Sequence, residues 1–162
     1  MSNLKIKFSK FISLVWPIGL FPIAPGTVSS LLAACLGLSI NIFFGSDVTL
    51  LLAILIGILG LYTSKIYIEK TNNKDPSEVV IDEFSGQLIA SAAAGTSFLF
   101  NIIAFILFRF LDIVKPGIIR KAEKLSGSKG IMTDDWIAGL ISALILSLFS
   151  FLGQIKYNWF IM

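Results

Sequence analysis

Long stretches of the chain carry no charge, and short polar breaks separate them. Thr27 to Gly45, Val48 to Ser64, Phe84 to Phe108 and Trp136 to Ile155 contain no Asp, Glu, Lys or Arg. About 20 apolar residues cross a hydrocarbon layer of ~30 Å at ~1.5 Å per residue. The breaks fall at Gly45-Ser46-Asp47, Thr71 to Pro76, Gly95-Thr96-Ser97 and Lys115 to Thr133. They predict five helices near 27–45, 48–68, 77–94, 97–114 and 134–153. The third and fourth are short, and a hairpin that does not fully cross is one reading.

Apolar residues make up 56% of the 162 and charged residues 14%, with mean hydropathy +0.87. Soluble domains carry about 25% charge. The reading is an all-α, polytopic membrane bundle forming a single domain over 1–162. Residues 1–26 resemble a signal peptide at first sight, with Lys5, Lys7 and Lys10 before an apolar stretch. Pro17, Pro22 and Pro25 break that stretch, so it is expected to be retained, at the interface or re-entrant. With a cytoplasmic N-terminus and alternating helices, twelve of the 13 basic residues fall on the cytoplasmic side, and only Lys156 falls outside. That is the positive-inside pattern. It gathers the acidic groups on the same face. Cys35, inside an apolar run, reads as a structural thiol. No histidine is present, which excludes histidine-dependent phosphatases, histidine metal sites and Ser-His-Asp triads.

Two acidic pairs stand out. Asp75-Pro76-Ser77-Glu78 reads as a capped helix start, which would put Asp82 and Glu83 about two turns inside the third helix. Asp134 and Asp135 follow Thr133, a plausible N-cap, so dipole compensation competes with function there. Each pair is followed by an aromatic residue, Phe84 or Trp136, and then by small residues. Two such pairs entering a bundle from one face can bind a hard divalent cation through oxygen, and Mg²⁺ suits few carboxylates beside a phosphate. Arg109 and Asp112 share a helix face. They read either as a structural pair or, with Lys115, as a grip on phosphate. Gly26, Thr27 and Ser30 belong to the Pro-Gly turn that opens the first long helix. The turn is either ordinary or an anion cradle. The basic run from Arg120 to Lys124 fits anionic lipid head groups, and nothing points to nucleic acid.

Four ordered blocks carry a resemblance. Ala24-Pro25-Gly26-Thr27, Asp82-Glu83-Phe84-Ser85-Gly86-Gln87, Phe108-Arg109-Phe110-Leu111-Asp112-Ile113-Val114-Lys115-Pro116 and Gly130 to Gly139 resemble the phosphatidylglycerophosphatase A family over about residues 19–142. The resemblance implies a Mg²⁺-dependent enzyme of the bacterial inner membrane, working from the cytoplasmic leaflet. It would remove the terminal phosphate of phosphatidylglycerophosphate. Ser29, Ile81 and Gly117 depart from the usual glycine, aromatic and tryptophan of that family, and none of these departures removes a charge. The expected site has Asp82, Glu83, Asp134 and Asp135 holding Mg²⁺, with Asp112 as a further ligand or base. Arg109 and Lys115 would hold phosphate, with Gly26, Thr27 and Ser30 completing the cradle. A phosphatase acting on another lipid or prenyl phosphate is the alternative enzyme. A non-catalytic transporter or scaffold is the other class, and would stagger its charges through the membrane depth.

Overall fold

The computed structural model describes residues 3–71, 73 and 76–159. Among these the chain forms seven α-helices and one 3₁₀ turn, and no strand. They are α1 (Asn3–Ser13), the turn Ile18–Leu20, α2 (Pro25–Phe44), α3 (Ser46–Thr71), α4 (Ile81–Ala94), α5 (Phe98–Val114), α6 (Ile118–Glu123) and α7 (Ser128–Trp159). The sequence reading found α2, α3, α4, α5 and α7 but missed α1 and α6. Pattern reading failed there because each is short and mixes charge with apolar residues. Among the described residues, three helices are long and apolar enough to cross a membrane: α2, α3 and α7 as far as Leu152.

Two helix starts differ from expectation, in opposite directions. Ser77 and Glu78 form a turn and Val79 and Val80 are irregular, so α4 starts at Ile81 and Asp82 and Glu83 stand in its first turn. Glu78 does not cap α4, because its carboxylate accepts a hydrogen bond from the Tyr67 hydroxyl at 2.9 Å. Asp75, the expected cap, lies outside the described residues, as does Lys74. Helix α7 starts five residues before Thr133, at Ser128. Thr133 is therefore helical rather than a cap, and Asp134 and Asp135 stand nearly two turns inside α7.

Helix α4 is the axis of the molecule. Twelve of its 14 residues are buried, because α2, α3, α5 and α7 all pack against it. Its outward positions are small or polar (Ser85, Gly86, Ala90, Ser91, Ala92, Ala94), which lets neighbouring backbones come close without a hydrophobic driving force. Glycines on the partners do the same. A side chain at Gly37 would meet Ser91, one at Gly57 would meet the Trp136 indole, and one at Gly139 would meet the backbone oxygen of Gly86.

Hydrogen bonds fix both ends of the bundle. At one end Asn41 Nδ2 donates to the carbonyls of Ser91 and Gly95 at 2.7 and 2.8 Å. Its Oδ1 accepts from Thr49 Oγ1 at 2.6 Å. The carbonyls left over at the end of α4 thus find partners within the protein, as apolar surroundings require. At the other end Ser29 Oγ donates to Val80 O at 2.8 Å, and Val80 N donates to Ser13 O at 3.0 Å. The serine that departs from the family pattern therefore ties α2 to the start of α4.

Candidate active site

The site follows from one close crossing. Gly86 lies one turn beyond Asp82 and Glu83, and Gly139 one turn beyond Asp135. Where α4 crosses α7, an added Cβ at Gly86 would strike Asp135 O, and one at Gly139 would strike Gly86 O. Trp136 locks the crossing laterally, its Nε1 donating to Ser85 Oγ at 2.9 Å. Asp82, Glu83 and Asp135 are thereby brought together, with one carboxylate oxygen of each within 4.8 Å of the other two. Asp82 and Asp135 are almost fully buried.

Each member of this trio also has a buried oxygen with no hydrogen-bond partner among the described residues: Asp82 Oδ1, Glu83 Oε2 and Asp135 Oδ1. A buried, unsatisfied carboxylate oxygen is costly. Three neighbouring carboxylates, each with such an oxygen, fit a hard divalent cation with oxygen ligands. The residues present fit such an ion.

Helix α2 closes one side. Gly26 packs directly against Glu83, and a methyl group there would collide with the carboxylate. Helix α5 supplies the cation. Arg109 Nη1 forms a short hydrogen bond with Asp112 Oδ2 and stands 3.9 Å from Glu83 Oε1. It also reaches Ser30 Oγ at 3.4 Å. Its Nε has no partner among the described residues. Lys115 follows α5 in a left-handed backbone conformation, which turns the chain into α6. Lys115 Nζ donates to Asp134 Oδ2 at 2.6 Å and to Glu123 Oε1 at 2.8 Å. Burial alone would lower the Lys115 pKa, but the hydrogen bonds to Asp134 and Glu123 outweigh it and push the group upward. Lys115 is a lasting cation.

These groups line one open cavity of about 670 Å³. It is bounded by Pro25 and Gly26, by Pro76 and Ser77, and by the 123–127 segment between α6 and α7. Six acidic residues line it (Asp82, Glu83, Asp112, Glu123, Asp134, Asp135) against three basic ones (Arg109, Lys115, Lys124).

The geometry divides the expected site. Asp82, Glu83, Asp112, Asp134, Asp135, Arg109, Lys115 and Gly26 share the cavity. Asp134 does not join the trio, because its side chain points to Lys115. Asp112 is likewise committed to Arg109. Ser30 acts through Arg109. Thr27 is not among the lining residues. Sequence reasoning passed over Glu123 and the 125–127 segment. Glu123 lay within a basic run, where an acid reads as a solvated neighbour.

Comparison with known proteins now decides the family. The family model for phosphatidylglycerophosphatase A matches residues 11–150. This chain belongs to the phosphatidylglycerophosphatase A family. It is 36% identical over 130 residues to phosphatidylglycerophosphatase A of Haemophilus influenzae, covering 79% of this chain and 80% of the relative. The Escherichia coli phosphatidylglycerophosphatase A is 36% identical over 137 residues, covering 79% and 75%. A Bacteroides thetaiotaomicron protein, provisionally named phosphatidylinositol-3-phosphatase, is 34% identical over 136 residues, covering 80% and 85%. No solved structure matches. As a member of this family the chain is a phosphatase, a hydrolase of lipid metabolism.

Proposed function

We propose that this protein is a divalent-cation-dependent phosphatase that releases the terminal phosphate of phosphatidylglycerophosphate, leaving phosphatidylglycerol. The observation that carries the reading is the carboxylate trio with its three unsatisfied oxygens, beside Arg109 and Lys115 in one cavity. Six acids against three bases would repel a phosphate monoester, which carries about −1.5 to −2 charges at neutral pH. A divalent cation held by Asp82, Glu83 and Asp135 would offset most of that excess. Mg²⁺ is the preferred ion, since it would need only a few carboxylates such as Asp82, Glu83 and Asp135 beside a phosphate. When bound, it supplies positive charge against the phosphate oxygens and promotes ionisation of water.

The protein's own groups account for the rest. The Arg109 guanidinium, held by Asp112 and Ser30, presents its remaining N–H groups to the phosphate. Lys115 adds a second positive charge from the loop side. Phosphoryl transfer depends on positioning and charge neutralisation more than on covalent chemistry by the protein. A water oxygen forms the new P–O bond in line with the departing glycerol oxygen, which takes its electron pair and a proton. Asp112 accepts the proton that water loses, and solvent water supplies the proton that the departing glycerol oxygen takes up. The charged groups gather at one end of the bundle rather than along its length, which favours an enzyme over an ion path. The positive-inside pattern favours a site facing the cytoplasm, in the bacterial inner membrane.

The name of the Bacteroides relative supports a second reading, a phosphomonoesterase acting on a different lipid head group. One experiment tests both. Phosphate release by purified protein in detergent is measured with phosphatidylglycerophosphate and with phosphatidylinositol 3-phosphate, each with Mg²⁺ and with chelator. The proposal expects Mg²⁺-dependent release from the first, lost in Asp82→Asn. Release insensitive to chelator and to Asp82→Asn would overturn the site. Faster release from the inositol lipid would transfer the assignment to the second reading.

A further inference from the structure

Outside the carboxylate cavity, a groove of about 280 Å³ runs between α2 and α5. Leu31, Cys35 and Leu38 form one wall, and Phe98, Ile102 and Phe105 the other. From Leu31 to Leu38 it extends about 10 Å along α2 at ~1.5 Å per residue. We propose that this groove seats an acyl chain of the same lipid whose phosphate occupies the carboxylate cavity. The inference rests on the phospholipid reading of the substrate given above.

Continuity with the site is the first argument. Leu31 directly follows Ser30, and Phe105 lies one turn before Arg109. Ser30 Oγ and Arg109 Nη1 meet at 3.4 Å, so one contact separates the mouth of the groove from the phosphate cavity. The groove then runs along both helices into their uncharged portions, away from the charged end. A lipid has the same polarity, with a charged head joined to a chain that must point into apolar surroundings.

The second argument is the lining itself. Seven of its eight residues are apolar, and the exception, Asn101, is buried with its Oδ1 accepting from Ser91 Oγ at 3.0 Å. Such a wall suits a hydrocarbon chain and not a head group.

Lipid tails are as apolar as the walls, so seating one chain brings no hydrophobic stabilisation. The benefit is orientation, since fixing the chain fixes the glycerol and aims the phosphate at the carboxylates. The effect should therefore appear in kcat/KM for long-chain lipids.

Cys35, the single cysteine in the chain, is exposed in the wall. Cys35→Trp fills the groove, whereas Leu144→Trp places the same bulk on an outward face of α7. The measured quantity is the ratio of kcat/KM for dioleoyl over dihexanoyl phosphatidylglycerophosphate. Cys35→Trp should lower that ratio by on the order of tenfold, and Leu144→Trp should not. An unchanged ratio in Cys35→Trp overturns the proposal. In parallel, unaltered protein is crosslinked to phosphatidylglycerophosphate bearing a diazirine in one chain. Labelling of segments 31–38 and 98–105, displaced by unlabelled phosphatidylglycerophosphate but not by phosphatidylcholine, supports the groove even if the tryptophan variant fails to fold. Labelling spread over the outer helix faces, or displaced equally by both lipids, means annular lipid only and overturns it. Absence of phosphate release by the unaltered protein would count against the substrate reading instead.

Discussion

Gly139 stacks on the carbonyl oxygen of Gly86 so closely that neither position has room for a methyl group. This contact sets the spacing of α4 and α7, and with it the separation of Asp135 from Asp82 and Glu83. Gly139→Ala must push the helices apart. Overpacking of this kind costs roughly 1–3 kcal/mol. Thermal unfolding in detergent should show a lowered midpoint, and phosphate release should fall more than tenfold because the trio no longer closes.

Gly26→Ala tests the other wall. The methyl group would strike the Glu83 carboxylate itself, with little else disturbed. Phosphate release should fall while the unfolding midpoint stays close to that of the parent. The Mg²⁺ concentration for half-maximal rate should rise by on the order of tenfold, as supporting contacts around metal ligands commonly require.

The two adjacent aspartates should separate in their effects. Asp135 belongs to the trio, whereas Asp134 holds Lys115. Asp135→Asn should raise the Mg²⁺ requirement sharply or abolish turnover. Asp134→Asn should leave the metal titration near its parent midpoint and weaken substrate binding, seen as a higher KM. Equal metal titrations for the two variants would contradict the division of roles.

Arg109→Lys keeps one charge, but the contacts to Asp112, Ser30 and Glu83 all come from Nη1, and lysine loses the further guanidinium donors left for phosphate. Lysine cannot reproduce that arrangement. The rate should drop by roughly 10- to 100-fold, about 1.4–2.7 kcal/mol of transition-state stabilisation, with folding retained.

The chain advertised its charged residues more clearly than their surroundings. Asp82, Glu83, Asp134 and Asp135 stand out because acids beside long apolar runs are expensive. What the pattern could not supply was helix phase. Asp75-Pro76-Ser77-Glu78 has the composition of a capped start, yet Glu78 is taken by Tyr67 from α3, and the helix begins only at Ile81. Likewise Gly127 and Ser128 let α7 begin ahead of Thr133, where local sequence favoured a loop. The first error arises from a tertiary contact overriding a local signal, the second from a local start at Gly127-Ser128. They reversed the depth of the two acidic pairs within their helices without moving either pair from the site. The division between Asp134 and Asp135 was also illegible, since a helix turns about 100° per residue and only the α4 crossing reveals which acid faces inward.

The surplus of acidic over basic groups around the cavity has a thermodynamic corollary. If the ion makes room for an anionic head group, the head group must in turn tighten the ion by the same factor. Cation affinity measured on lipid-free protein would then understate affinity during turnover. Occupancy by one partner would gate occupancy by the other, leaving the cavity closed to stray phosphates whenever the cation is scarce.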